Sequence, residues 1–518
     1  MADLARFQEL IEQGYAFKGP HFQLGAAVLD GNVLTGSVVS IPLKTMNRHG
    51  LIAGATGTGK TKTLQMITEG LSRASVPVLV MDIKGDLSGI AAPGVLNDKV
   101  NERIQRIGAE GFQPEGFPVE LLSLSREPGV RMRSTVSEFG PILLSKILGL
   151  NETQEGVVSM IFKYCDDERM ALIDLKDFIK VLQYIGNEGK KELESHYGKI
   201  STTTTGTILR KVIELQQQGA DLFFGEPSFE VEDLTRIGPD GRGMINVLRV
   251  TDMQNRPKFF STFMLGLLAE IYATFPEEGD MDQPKLVFFI DEAHLIFQEA
   301  TPALLQQIET VIKLIRSKGV GIFFCTQNPQ DIPAAVLSQL GLKVQHALRA
   351  FTAADRKTIK LAAQNYPETE FYKVEDLLTQ LGIGEALVTM LNEKGIPTPL
   401  VHTYLLPPST RMDVLSNEEI DRLVASSPLA ARYAEDIDRE SAYEILTAKL
   451  EEAAKKTEEE AARKRTGGDG GRTKAPESIL DNTIVRQAGR TAATIITRSL
   501  LGALGLNTGR GRKKGLFG

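Results

Sequence analysis

An α/β protein with a mainly parallel sheet is predicted by three observations. A short apolar run, LIAGA, ends in a Gly-rich turn, continues into a helix over about residues 59–74 and returns as the apolar run PVLVMDI. KLVFFI (residues 285–290) and GVGIFFCTQ (residues 319–327) are continuous apolar runs with a helical pattern between them. Unbroken apolar strands are buried on both faces, as in a parallel sheet covered by helices on each side. A strand, turn, helix, strand order is the repeating unit of such a sheet.

Taken in order, residues 4–12 read as a short helix. FQLGAAVLDGNVLTGSVVSIPL then alternates and breaks at Asp30-Gly31 and Gly36, which predicts a hairpin. Residues 1–45 are therefore expected to form a small N-terminal β element, and residues 46–405 the nucleotide-binding core. Within the core, residues 100–240 are mixed, with helical stretches at 140–148, 156–166, 175–185 and 207–218, and are expected to be a helical insertion. GMINVLRV (243–250) returns to the sheet, followed by a helix over about 259–275. After the helix carrying Leu304, Leu305, Ile308, Val311, Ile312 and Ile315, the runs LKVQHALRAF, GEALVTML and LVHTYLL predict one more strand and a closing hairpin. Residues 406–465 read as an acidic helical extension, 466–477 as a Gly-rich linker and 478–518 as a basic amphipathic tail.

The composition of this 518-residue chain, 42% hydrophobic and 24% charged, is that of a soluble protein with a large core, which excludes a disordered chain or a collagen. Its two cysteines, Cys165 and Cys325, are too few for a disulfide scaffold and too far apart for a metal-ligand pair, and a cytoplasmic, reducing location is expected. No run of 18 apolar residues predicts a membrane helix, and the N-terminus lacks a secretory signal pattern. The formal net charge of −7 is unevenly spread: residues 463–518 carry 12 Lys and Arg against 3 Asp and Glu, leaving the remainder with a surplus of 16 acids. In the tail, Arg486, Arg490 and Arg498 share one side of a helical wheel and Ile484, Ala488, Ala492 and Ile495 the other. Such a segment suits an anionic partner, a neighbouring subunit or the protein's own body.

Gly54-Ala55-Thr56-Gly57-Thr58-Gly59-Lys60-Thr61 fits G-x-x-x-x-G-K-[ST] at every position, with a strand before it and a helix after it. Small residues let backbone N–H groups wrap phosphates, and the following helix N-terminus favours negative charge. Lys60 is expected at the β- and γ-phosphates of ATP and the Thr61 hydroxyl on Mg²⁺, with Lys62 completing the loop. Asp291 and Glu292 follow a buried apolar strand, where acids need a reason. Asp291 is expected to hold Mg²⁺ and Glu292 to polarise the attacking water; an acid pair capping the next helix is the alternative. Gln327, ending the next strand, could sense the γ-phosphate or merely occupy a turn. Arg316, ending the preceding helix, is either an ordinary helix C-terminal cation or an arginine supplied to a neighbouring subunit's nucleotide, with Arg349 and Arg356 as weaker candidates. Asp82 and Asp86, in MDIKGDLSG, end the strand after the loop helix and could help order the site or simply form a turn.

LIAGATGTGKT, VLVMDIKGDLSG, LVFFIDEAHLIF and IRSKGVGIFFCTQNPQDIP, in that order, resemble the HerA/FtsK superfamily of hexameric P-loop DNA motors over roughly residues 46–405, and within it the bacterial HerA-like, YjgR-like family (DUF853). The resemblance implies a RecA-like core, Mg²⁺-dependent ATP hydrolysis, a homo-hexamer and action on DNA, with a nuclease or other effector as a possible partner and Arg316 at the position of the superfamily's arginine finger. The roughly 45 residues before the loop are too few for the β-barrel of archaeal HerA, and the membrane helices and winged helix of FtsK are not visible.

DEAH together with GATGTGKT is also similar to superfamily-2 helicases, but there the two motifs lie much closer than Lys60 and Asp291, and no S-A-T follows. An ABC transporter would need a signature before the acidic strand, whereas LSGIA follows the wrong strand. An ATP-driven assembly or regulatory factor that never touches DNA is the functional alternative. DNA-stimulated, salt-sensitive behaviour separates the two classes.

Overall fold

The computed structural model describes residues 2–125, 127–253, 256–279, 281–297, 302–350, 352–437 and 439–466. The expected basic tail, from Ile484 to Arg498 and beyond, lies outside the described residues, as does the linker from residue 467 onward. The chain divides into two compact units, Met1–Ser134 with Gln218–Ile437, and Thr135–Gln217 with the described part of Asp438–Gly518.

The first unit carries all twelve named strands: β1 (His21–Leu29), β2 (Asn32–Pro42), β3 (Gly50–Ala53), β4 (Val78–Asp82), β5 (Val119–Ser123), β6 (Val130–Arg131), β7 (Ile245–Arg249), β8 (Leu286–Ile290), β9 (Val320–Thr326), β10 (Leu342–Gln345), β11 (Glu385–Thr389) and β12 (Val401–Leu405). They form one sheet in the order β2-β1-β12-β11-β10-β3-β9-β8-β4-β7-β5-β6. From β10 to β6 every pairing is parallel, and β11, β12, β1 and β2 extend the sheet antiparallel. The whole is a RecA-like α/β fold. β3, β4, β8 and β9 are buried along their full length, because helices cover both faces. Phe288, Phe289, Phe323 and Phe324 lie fully inside, which is why these runs show no polar alternation.

Asp30-Gly31 turns the N-terminal hairpin, both residues having positive φ, and Asn32 pairs with Leu29. Gly36, also at positive φ, lies where the β1–β2 register shifts, and β2 continues through it. The hairpin, expected as a small element of its own, is continuous with the main sheet, β1 pairing Gly25 with Leu405 of β12. That pairing covers an edge that would otherwise expose unpaired backbone. Helix α1 (Ala2–Tyr15) buries Phe7 and Ile11 against this end, and the Tyr15 hydroxyl donates to the carbonyl of Pro399 at 2.8 Å.

The stretch expected as a helical insertion over 100–240 is shorter than that. Helix α3 (Asp98–Ile107) and strands β5 and β6 belong to the sheet-bearing unit, and VELLS is buried at all five positions between its neighbours. The helical unit begins at Thr135. Its helices Val136–Ile147, Glu152–Asp167 and Leu175–Gly186 each start with a capping box, on Thr135, Asn151 and Asp174. The polar run Ser201 to Thr205 opens the helix Thr202–Gln217; the Thr205 and Thr207 hydroxyls donate back to the carbonyls of Thr202 and Thr203. The acidic extension is divided: residues 406–437 sit in the sheet-bearing unit and the helix Ala442–Thr466 in the helical one. Buried Asp177 accepts from the Ser441 hydroxyl and the Tyr443 N–H at the start of that helix.

Candidate functional site

The ends of β3, β9, β8 and β4 lie level: Ala53 faces Thr326, Phe324 faces Ile290, and Ile290 faces Met81. The segments that leave these four ends form the site. β3 runs into residues 54–59, and α2 (Lys60–Arg73) follows. The Gly54 N–H donates to the Thr326 carbonyl at 3.2 Å and the Ala55 N–H to Ala347 at 2.8 Å, so the loop is pinned between β9 and β10. Gly54 has φ +151, and a Cβ there would meet His346 Cβ at 2.5 Å. Gly57 and Gly59 also take positive φ, which turns the loop with its Thr56-Gly57 tip exposed. Lys60 folds its ammonium back over the loop onto the Ala55 carbonyl at 3.1 Å. Burial lowers its pKa, the nearby Lys84 charge adds to the fall, and Glu292 and Asp291 oppose it.

Across β9 from β3, Asp291 and Glu292 leave β8 at 4% and 7% exposure. Glu292 adopts φ +46, unusual for a side-chain-bearing residue. Asp291 Oδ2 and Glu292 Oε2 are buried without a hydrogen-bond partner. Burial pushes the Asp291 pKa up, opposed by Lys84. Buried hard oxygens without a hydrogen bond are of the kind that suits a divalent cation such as Mg²⁺.

Lys84, which is not among the expected site residues, lies at the centre of the site. Lys84 Nζ lies 2.5 Å from Glu292 Oε1 and 3.5 Å from Asp291 Oδ2. Burial works against its charge, but the two carboxylates outweigh that and raise its pKa. Its backbone is fixed by Asp82, whose carboxylate accepts from the N–H groups of Gly85, Asp86 and Leu87 at 2.7, 3.1 and 3.1 Å. Asp82 thus orders the loop, with its pKa raised by burial to about 6. A Lys between two Asp at a strand tip was the available signal.

The remaining candidates are dispersed. Gln327 is exposed immediately beyond β9, on the site's side of the sheet, while Arg316 is exposed before β9 begins, at the opposite end. Arg349 and Arg356 are exposed. His294 Nδ1 lies 3.3 Å from Glu292 Oε2. Lys62 departs from expectation: its side chain turns away from the loop to the carbonyl of Met412 at 2.5 Å and to Gln65 at 3.2 Å, which leaves only its main-chain N–H for a phosphate.

Supporting contacts unseen in the sequence hold this geometry. The Gly384 N–H donates to the Thr58 carbonyl at 3.1 Å, and Arg103 caps the carbonyls of Ile383, Gly384 and Leu405 while stacking over Tyr404. Buried Glu69, on α2, accepts from the N–H and hydroxyl groups of both Ser409 and Thr410.

A family model described as helicase HerA-like C-terminal matches residues 30–512. Among curated proteins, the DNA double-strand break repair helicase HerA of Sulfolobus acidocaldarius is 21% identical over 360 residues, 68% of this chain and 64% of that protein. The DNA import protein CedB of the same organism is 25% identical over 364 residues, 69% of this chain and 52% of that protein. The chain thus spans between half and two thirds of their length. Among solved structures, the plasmid coupling protein TrwB in complex with a non-hydrolysable ATP analogue aligns over 79% of this chain and 95% of its own, with a TM-score of 0.52 and 13% identity, a likeness of fold.

Proposed function

The chain belongs to the helicase HerA-like C-terminal family, and on that footing we propose that it is a Mg²⁺-dependent ATPase that assembles into a ring, a homo-hexamer, and moves or remodels DNA. The observation that carries this reading is the convergence of the Gly54–Thr61 loop and the Asp291-Glu292 pair at the ends of β3 and β8, the two strands that flank β9, with Lys60 in the field of both acids.

Lys60 and the loop N–H groups would bind the triphosphate. Thr61 and Asp291 would hold Mg²⁺, which when bound polarises the γ-phosphate and neutralises its charge. Glu292 would orient the attacking water and take its proton, and Gln327 would contact the γ-phosphate or that water. Arg316 would serve the nucleotide of a neighbouring subunit. DNA as substrate is supported by the likeness to a DNA double-strand break repair helicase, HerA, and a DNA import protein, CedB. Two unpaired, buried cysteines support a reducing cytoplasm, and among the described residues no helix is long and apolar enough to cross a membrane.

A regulatory ATPase that does not act on nucleic acid is the second reading, favoured by the acidic surplus outside residues 463–518. ATPase rates with and without single- and double-stranded DNA, with particle mass measured alongside, test both. A DNA motor shows DNA-stimulated turnover by a ring-sized particle, and the stimulation fades with salt. A DNA-independent rate supports the second reading, and absence of hydrolysis overturns both.

A further inference from the structure

We propose that Lys84 is a positioning residue that couples Glu292 to the γ-phosphate: its ammonium holds the Glu292 carboxylate when no γ-phosphate is present and transfers to the γ-phosphate when one is. This rests on the ATPase reading above and adds the means by which that site distinguishes ATP from ADP.

The geometry has three parts. The ammonium lies 2.5 Å from the carboxylate expected to orient water and 3.5 Å from Asp291. Its anchorage is rigid, since Asp82 binds three successive N–H groups of the loop that carries it. Its side chain is 37% exposed, against 9% for that of Glu292. The cation therefore stands at the mouth of the site over a buried acid, on a flexible four-carbon stem from a fixed backbone. Lys60 would bind the triphosphate from the loop side, and Lys84, beside the acid pair, is a second cation for the phosphate that distinguishes ATP. A lysine acts here as a movable point charge and can exchange one anion for another without strict geometry. While Lys84 engages Glu292, the carboxylate is neutralised and held from water; once the phosphate takes the ammonium, Oε1 is freed to act. Glu292 and the γ-phosphate thus compete for one cation.

Competition makes a prediction that a merely structural lysine does not. Affinities for a non-hydrolysable ATP analogue and for ADP, both with Mg²⁺, are measured by calorimetry on the full chain as wild type, Glu292→Gln, Lys84→Met and the double variant. Glu292→Gln removes the competitor and should tighten the ATP analogue about fivefold while Lys84 is present, with no effect in the Lys84→Met background. Lys84→Met alone should lower the preference for the analogue over ADP by about fivefold, and Lys84→Arg should restore it. Equal effects of Glu292→Gln in both backgrounds, or an unchanged preference in Lys84→Met, overturn the proposal and leave the ATPase reading standing. A wild-type chain that binds neither nucleotide overturns both.

Discussion

Glu292 is the residue on which turnover should depend most steeply. It sits in left-handed backbone at φ +46 with Oε2 buried and lacking a hydrogen-bond partner, a cost that a purely structural acid would not retain. Glu292→Gln keeps size and shape and removes the base. It should bind nucleotide while its rate falls by about 10²–10⁴-fold; a rate within threefold of wild type would remove Glu292 from the chemistry. A second residue-scale expectation concerns pH. His49 Nε2 donates to the Ile312 carbonyl at 2.8 Å, and Nδ1 accepts from the Ile322 N–H at 3.0 Å, a bond that requires the neutral ring. Burial lowers its pKa from 6.5 to about 4, and nearby Arg316 adds to the fall. Between those values the unfolded chain binds the proton and the folded one does not. Stability is therefore fully present above about pH 6.5 and is lost as pH falls towards 4, by about 3 kcal/mol. His49→Gln can offer the same donor and acceptor without titrating. Urea denaturation at pH 7 and pH 4.5 should show the variant losing less stability than wild type, and equal losses would contradict the assignment. At this scale the sequence made the phosphate loop and the acid pair legible, because each is contiguous and chemically distinctive. Lys84 was not legible as a partner of Glu292, because the two are joined only by the adjacency of β4 and β8.

Among the elements, the strands with unbroken apolar runs could be read directly, and so could the Asp30-Gly31 turn. β5 and β6 were hidden, because a five-residue apolar run and a two-residue strand are indistinguishable from helical or loop segments until their neighbours are known. The role of residues 409–413 was equally invisible. Pro407-Pro408 marks a boundary in composition, yet the segment beyond it binds α2 through Glu69, which is 1% exposed and accepts four hydrogen bonds from Ser409 and Thr410. Gln65 adds bonds to the Thr410 hydroxyl and the Arg411 carbonyl. The helix that presents Lys60 and Thr61 is thus held from behind by chain some 340 residues later. Glu69→Gln would turn an amide N–H₂ towards donors and leave some unsatisfied. A loss of about 2–4 kcal/mol is expected in chemical denaturation, together with faster proteolysis within residues 406–415. A variant as stable as wild type would show that the segment is not held by this carboxylate.

At the scale of the whole molecule, Arg316 and the phosphate loop lie at opposite ends of the same strand layer. The loop leaves the C-terminal end of β3, level with Thr326, whereas Arg316 precedes the N-terminal end of seven-residue β9. That strand spans about 23 Å at about 3.3 Å per residue, farther than an arginine side chain extends. An arginine so placed cannot serve its own chain's nucleotide, and any catalytic role requires a neighbouring copy arranged head to tail, as in a ring. Lys60→Ala should fail to bind nucleotide productively, and Arg316→Ala should bind it without turnover, so each alone is inactive. In a mixture, a site formed by the loop of an Arg316→Ala subunit and the arginine of a Lys60→Ala subunit is complete. Equal, freely exchanging amounts should therefore recover about a quarter of the wild-type rate, since half the subunits supply an intact loop and half of their neighbours an intact arginine. No recovery from subunits shown by mass to have mixed, or full activity of Arg316→Ala alone, would exclude the arginine from catalysis across the interface.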